Sequence, residues 1–181
     1  MQDPLSRRQF ILVSALSAAA SAFWSACARF QPAPAFTPEE RRLVEALADQ
    51  VIPPDDVPGG KDAGVAEFID RQLRGPYRRH RQAYRSGLVK IDETSRRTAG
   101  APFAELAFDR QTALLQALEA DRVPEGIWAP GEAREFFRLV ADHCLQGYYG
   151  SPRHGGNRNF ASWKMLGLDT PQVLGRVVVK G

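Results

Sequence analysis

The sequence predicts an all-α fold, namely a small, irregular, loop-rich domain of about five to six helices after an N-terminal signal helix. Five segments carry apolar residues at the three- and four-residue spacing of an amphipathic helix. No segment alternates with the period of a strand, and the valines at 177–179 form the one β-branched run. The 15 glycines and 13 prolines predict irregular connections between the helices.

Length and charge limit the class of protein. The chain has 181 residues, which is the size of one domain and too short for a large two-domain cofactor enzyme. Its 24 basic and 21 acidic residues give a net charge of +3, which is too balanced to indicate nucleic-acid binding. We therefore expect no nucleic acid among its partners.

Residues 1–28 predict an export signal. Ser6, Arg7, Arg8 and Phe10 introduce a mildly apolar run rich in alanine and serine, and this arrangement resembles the twin-arginine export motif. Two adjacent guanidinium groups present fixed, bidentate donors, which suit recognition by a receptor. We expect the twin-arginine translocase to recognise the chain and the protein to be periplasmic. A basic leader of the general secretory route is the alternative.

The end of this signal leaves three alternatives open. Small residues at alternate positions precede two candidate cleavage points, after residues 22 and 28. Cys27 ends a segment similar to a lipoprotein box, so its thiol is a candidate for lipidation. If the signal is not cleaved, its helix would anchor the chain at the cytoplasmic membrane.

The first two helices follow a Pro-spaced linker. We assign the linker to residues 29–36 and the folded domain to residues 37–181. Thr37, Pro38 and Glu40 have the spacing of a helix start with a capping box, and this helix continues to the prolines at 53 and 54. A second, shorter helix runs from about residue 65 to the Gly-Pro pair at 75 and 76.

A strongly basic cluster leads into the third helix. A solvated helix face is the commoner outcome of such a cluster, and a surface for an acidic partner is the next. Apolar positions at 114–118 and at 133–144 predict a fourth helix and a fifth, the latter from about 132 to 147. The members of the basic cluster are Arg71, Arg74, Arg78, Arg79, His80, Arg81 and Arg85.

The domain lacks the familiar motifs of catalysis and cofactor binding. It contains no glycine-rich phosphate loop, no Cys-x-x-Cys pair and no nucleophile elbow. We therefore predict no catalytic, cofactor-binding or metal-binding residue in this chain. The alternative is a free-standing periplasmic binding module or enzyme that uses His143, His154 and the arginines on an anionic ligand.

Cys144 would be the one thiol left if the signal is cleaved after residue 28. Its place in the apolar stripe of the fifth helix favours burial. In an oxidising compartment, a single thiol is also a candidate for a disulfide to a partner subunit.

The segment from residue 147 to residue 159 is the most unusual local sequence. Two tyrosines lead into a loop with four glycines and two arginines, and a short aromatic helix follows. Tyrosine, tryptophan and arginine are enriched at the energetic centres of protein interfaces, although a loop that packs on itself to close the core is the alternative. We predict a partner interface made of Tyr148, Tyr149, Arg153, His154, Asn157, Arg158 and Trp163.

Several blocks of the sequence resemble one protein family in the same order. They are LVEALADQVIPPDD from residue 43, AGVAEFIDRQLRGPYRRHRQAYRSGL from 63, GYYGSPRHGGNRN from 147 and WKMLGL from 163. With the leader, these blocks are similar to subunit 3, the small subunit, of membrane-bound gluconate 2-dehydrogenase and related sugar or polyol dehydrogenases. The resemblance runs from about residue 36 to residue 168.

This resemblance implies a non-catalytic subunit of a larger complex. In the family, a large subunit carries FAD and the chemistry, and a multihaem cytochrome c subunit passes electrons to the respiratory chain. The resemblance thus implies these two partners, with FAD and haem c bound by them, and a small subunit that exports the flavin subunit with its own leader. Family members commonly carry an acidic residue where Gln146 stands and an aspartate where Asn159 stands, so the resemblance does not imply the substrate.

Overall fold

The computed structural model describes residues 33–168, and this part of the chain contains six α-helices and no β-strand. Short 3-10 turns precede the third, fourth and sixth helices. The all-α prediction is confirmed. The predicted leader with Cys27, and residues 169–181, lie outside the described residues. The helices are α1 (Pro38–Val51), α2 (Val65–Arg74), α3 (Arg81–Ala99), α4 (Phe108–Glu119), α5 (Glu132–Tyr149) and α6 (Ala161–Met165).

The predicted capping box starts α1. The Thr37 hydroxyl accepts from the Glu40 backbone N–H at 3.2 Å, and the Glu40 carboxylate accepts from the Thr37 N–H at 2.8 Å. Pro38 occupies the first turn, where it has no N–H to leave unpaired. The sequence therefore places this helix start correctly.

Helix α5 is the centre of the domain. It packs against each of the other five helices, and its buried face includes Phe136, Val140 and Cys144. The helix runs two residues beyond the predicted end at residue 147, because Gly147 and Tyr148 are also buried in the core. Burial on one face, rather than helix propensity alone, therefore sets the length of α5.

The folded domain begins earlier than the predicted boundary at residue 37. Asp70 is buried on α2, and its Oδ1 accepts from the backbone N–H groups of Ala35 at 2.7 Å and Phe36 at 3.2 Å. The Phe36 ring is buried against Tyr84, with 5.7 Å between ring centroids. The end of the assigned linker is thus part of the core.

No helix within residues 33–168 is long and apolar enough to cross a lipid bilayer.

Candidate partner interface

Two glycines bring the loop after α5 against the body of the domain. A Cβ on Gly147 would lie 2.8 Å from Cδ1 of Phe68 on α2, and a Cβ on Gly156 would overlap the carbonyl oxygen of Gly147. Contacts this close exclude any side chain at either position. The loop at 150–160 therefore packs directly on the junction of α2 and α5.

Asn157 holds this loop from inside. Its side chain is fully buried, donates to the carbonyl of Gly150 at 2.9 Å and accepts from the N–H of Ser162 at 3.0 Å. The next residue, Arg158, donates its N–H to the carbonyl of Ala63 at 2.9 Å. These three bonds link the end of α5, the start of α6 and the segment before α2.

The same loop contains unusual backbone conformations. Asn157, Asn159 and Phe160 have φ of +44°, +57° and +59°. Asparagine tolerates the left-handed region, but a phenylalanine there costs about 1–2 kcal/mol. The surrounding contacts hold the loop in one strained shape, as is common at binding surfaces.

The predicted interface residues divide into two groups. Arg153, His154 and Arg158 are exposed, and Tyr149 is 44% exposed. Trp163 is half-buried, and its indole N–H donates to the carbonyl of Tyr149 at 3.0 Å. These five residues lie at one end of α5 and on the loop and helix that follow it, where a partner can reach them.

Tyr148 and Asn157 do not fit the predicted interface. Tyr148 is 1% exposed, and its hydroxyl donates to the carbonyl of Pro58 at 2.9 Å. Asn157 is buried by its own bonds to the loop. Both side chains close the core, so the self-packed alternative is correct for these two positions.

Four exposed apolar residues near the same end were missed by sequence reasoning. One of them lies on α5, four residues before Tyr149, and hence on the same face of the helix. The sequence contains a signal of their exposure, because each of these apolar residues lies outside the buried stripe of its helix or beyond the end of that helix. The residues are Leu145, Met165, Leu166 and Leu168, which are 44%, 42%, 56% and 48% exposed.

His143 is buried on α5 and contacts two tyrosine rings. Tyr77 stacks on its imidazole with 4.5 Å between centroids, and the Tyr84 ring lies nearly parallel at 5.8 Å. The Tyr84 hydroxyl lies 3.0 Å from Nδ1 of His143, and the ring of His80 approaches edge-on at 5.4 Å. Burial, with the nearby His80, lowers the pKa of His143 to about 4. The imidazole is therefore neutral and structural at neutral pH.

Some arginines of the basic cluster bond with groups on α2, and others have no carboxylate nearby within the described residues. Arg71 pairs with Glu67 at 2.7 Å, and Arg74 pairs with the buried Asp70 at 2.8 Å. Arg81 donates from Nε to the carbonyl of Leu73 at 3.3 Å. These three arginines help to hold the end of α2 in place. The exposed Arg78, Arg79 and Arg85 have no carboxylate of the described residues within 4.0 Å.

Cys144 is fully buried in the apolar face of α5. Its thiol is free, and burial raises its pKa to about 12. The sulfur would have to leave the core to bond with a thiol of another chain, so the structure favours the burial alternative.

The residues of the anionic-ligand alternative are not gathered into one cavity. His143 is buried between tyrosines, whereas His154 is exposed and accepts from Nε of Arg153 at 2.9 Å. Three surface grooves of about 230, 270 and 350 Å³ lie along α3, and neither histidine lines any of them. Within residues 33–168, no group of three His, Cys, Asp or Glu side chains is placed to hold a metal ion.

Comparison with known proteins places these features in a family. The family model described as gluconate 2-dehydrogenase subunit 3 matches residues 38–169. No curated protein and no solved structure matches the sequence. The match spans all six helices, the basic cluster and the loop after α5.

Proposed function

Because the chain belongs to the gluconate 2-dehydrogenase subunit 3 family, we propose that it is the non-catalytic small subunit of a flavin-dependent sugar or polyol dehydrogenase. Its partners are a large subunit that binds FAD and a multihaem cytochrome c subunit. The complex is periplasmic and associated with the cytoplasmic membrane. The small subunit assembles with the flavin subunit and carries it through the twin-arginine translocase.

The observation that carries this proposal is the family match across residues 38–169. The name of the family describes one subunit of a dehydrogenase, and a subunit needs a surface for its partner. The exposed end of α5 supplies a candidate surface, because Tyr149 presents a large ring and Trp163 is fixed by its bond to the Tyr149 carbonyl. Rigid aromatic side chains beside arginines are typical of binding hot spots.

The arrangement of the leader supports the export role. Arg7 and Arg8 lie ahead of an apolar run at the start of the chain, and the twin-arginine route carries proteins that are already folded. A flavin subunit that has bound FAD in the cytoplasm can therefore cross the membrane attached to this chain. One leader then serves two proteins.

The leader provides the test of this role. We expect the double change Arg7→Lys and Arg8→Lys to leave both this chain and the flavin subunit in the cytoplasm, since lysine cannot copy the bidentate guanidinium. The measurement is the amount of each subunit in periplasmic and cytoplasmic fractions. The double change Arg96→Lys and Arg97→Lys on α3 is the matched control and is expected to leave export unchanged. If the flavin subunit still reaches the periplasm while this chain does not, the carrier role is wrong.

Purification provides a second test. A tagged full-length chain, purified from cells that express all the subunits, should bring down a yellow protein with a flavin absorbance spectrum. If this chain is recovered alone at every ionic strength tested, the proposal that it is a dehydrogenase subunit is contradicted.

A further inference from the structure

Two stretches of the chain contain no aspartate or glutamate. The first spans residues 71–91 and carries seven lysines and arginines, and the second spans residues 143–168 and carries three. The whole chain has 21 acidic residues, so two such gaps concentrate positive charge in two places. The ten basic residues are Arg71, Arg74, Arg78, Arg79, Arg81, Arg85, Lys90, Arg153, Arg158 and Lys164.

The fold joins these two stretches. His143, at the start of the second, stacks on Tyr77 and bonds with Tyr84, both in the first. The Tyr77 hydroxyl donates to Oε1 of Gln146. Three ring and hydrogen-bond contacts therefore join the two stretches along the C-terminal half of α5.

A second contact lies closer to the loop. A Cβ on Gly155 would be 3.1 Å from both Cδ of Arg71 and Cγ of Glu67, so the loop lies directly against the face of α2 that carries these two residues. The 3-10 turn at Arg78–His80 follows α2 after a short connection. The guanidinium of Arg158 lies at the start of α2, 3.2 Å from the position of a Cβ on Gly64, whereas Arg78 and Arg79 follow the end of α2. The loop arginines and the cluster arginines thus lie along the same short helix, near its two ends.

The charge on the joined surface is not neutralised within the described residues. Here we define the basic face as the five exposed arginines of these stretches that have no carboxylate within 4.0 Å in residues 33–168. Arg79 and Arg153 instead donate from Nε to Nε2 of the histidine that follows each of them, at 3.0 Å and 2.9 Å. The basic face consists of Arg78, Arg79, Arg85, Arg153 and Arg158.

We propose that the basic face docks on an acidic surface of the partner dehydrogenase subunit. This inference rests on the proposed function and adds the chemistry of the interface. Uncompensated like charges repel one another in the free chain, and an acidic partner relieves that repulsion and accelerates encounter. The planar fork of each arginine can bind a carboxylate through two hydrogen bonds. The exposed Tyr149 beside them supplies an apolar anchor of the kind that protein interfaces use.

Charge removal on the basic face tests the proposal. Binding of the full-length chain to the purified dehydrogenase subunit is measured at about 0.05 M and about 0.5 M NaCl. The higher salt concentration screens interactions between exposed charges much more strongly. We expect the variant Arg78→Gln/Arg79→Gln to bind about three- to tenfold more weakly at low salt and to depend less on salt. The matched control, Arg110→Gln/Arg122→Gln, removes two exposed arginines that line the groove between α3 and α4, and should bind like the unchanged chain.

A single-residue change tests the same face without truncating an arginine. Gln146 is exposed at the point where the two stretches meet, and its side-chain oxygen accepts from Tyr77. In Gln146→Glu, a carboxylate oxygen can still accept that bond, so the fold is preserved while a negative charge enters the surface. We expect about a threefold loss of affinity at low salt that disappears at high salt.

The outcomes separate this inference from the proposed function. If the unchanged chain binds the dehydrogenase subunit but neither affinity nor the variant effects respond to salt, the acidic-surface proposal is wrong and the subunit role stands. If the arginine variant binds the subunit normally but loses binding to vesicles containing phosphatidylglycerol, the face contacts a membrane and the proposal is also wrong. If the unchanged chain does not bind the subunit at either salt concentration, both proposals fail.

Discussion

The hydroxyl of Tyr84 on α3 lies 3.0 Å from Nδ1 of His143 on α5, and both side chains are buried. This bond connects the two helices through residues that are 59 positions apart in the sequence. His143 is 4% exposed and Tyr77 stacks on its imidazole, so little solvent can reach Nδ1 if the hydroxyl is removed. The pair is thus a structural link below the candidate interface.

The change Tyr84→Phe is expected to lower the free energy of unfolding by about 1–3 kcal/mol, because it leaves a buried polar nitrogen of His143 without its partner. Urea unfolding of the two proteins measures the difference. The control is Tyr77→Phe, which removes a hydroxyl that bonds the exposed side chain of Gln146 and should cost less than about 1 kcal/mol. If both variants lost the same free energy of unfolding, the buried Tyr84 bond would contribute no more to stability than the exposed Tyr77 bond.

The neutral state of His143 predicts a loss of stability in mild acid. Its pKa falls from 6.5 to about 4 in the folded chain, so between these values the unfolded chain binds more protons. Stability is therefore full above about pH 6.5 and decreases as the pH falls toward 4. We expect a loss of about 2 kcal/mol between pH 7 and pH 5, measured by urea unfolding.

The groups around the imidazole define the control for this pH effect. His80 and Arg79 lower the pKa of His143, and Asp142 raises it. Burial and the charge of Arg79 also lower the pKa of His80 itself. The variant His143→Phe should lose most of the pH dependence between 7 and 5, whereas His80→Gln should keep most of it. An unchanged pH dependence in His143→Phe would assign the effect to other groups.

Local signals in the sequence predicted much of the fold. Thr37 and Glu40 start α1 through bonds between neighbours, and the prolines at 53 and 54 follow its end closely. The apolar stripe of α5 likewise predicted the burial of Cys144. Each of these features depends on residues within a few turns of one helix, so a single sequence contains the information.

Contacts between distant segments were not predictable in the same way. Asp70 fixes Ala35 and Phe36 through bonds across 34 and 35 positions, and nothing in the Pro-spaced linker indicates an acceptor so far along the chain. Tyr148 and Tyr149 look equivalent in the sequence, yet one is buried and the other is exposed. Which of them is exposed depends on the position of Pro58, whose carbonyl accepts the hydroxyl of the buried Tyr148.

Asn157 is expected to be essential for the shape of the loop. Replacing it in Asn157→Ala removes the bonds to Gly150 and Ser162 and should cost about 2–4 kcal/mol of unfolding free energy. Asn159→Ala is the matched control, because Asn159 also has a positive φ but is exposed. That control should cost about 1 kcal/mol from backbone strain alone. Thermal or urea unfolding of both variants would show a similar loss if the buried bonds were unimportant.

The Cys144 thiol is expected to be unreactive in the folded chain. With a pKa of about 12, on the order of one thiol in ten thousand is ionised at pH 8, and the side chain is fully buried. In a Cys27→Ser background, a thiol reagent such as dithionitrobenzoate should label Cys144 only after denaturant is added. The complex should also migrate as separate chains on a non-reducing denaturing gel. A band at the combined mass that disappears in Cys144→Ser would instead establish the intersubunit disulfide.

The ring of Tyr149 combines high exposure with a fixed backbone. Its side chain is 44% exposed, and its carbonyl, rather than its ring, holds the indole of Trp163. The change Tyr149→Ala should therefore alter stability by less than about 1 kcal/mol and weaken binding to the dehydrogenase subunit by about 2 kcal/mol, or roughly 30-fold. Val89→Ala is the control, since Val89 on α3 is 64% exposed and lines a different groove, beside α1. Stability and affinity are measured on the same preparations, because a loss of affinity without a loss of stability is what separates a contact residue from a structural one. If Val89→Ala weakens binding and Tyr149→Ala does not, the partner binds the groove between α1 and α3 rather than the end of α5.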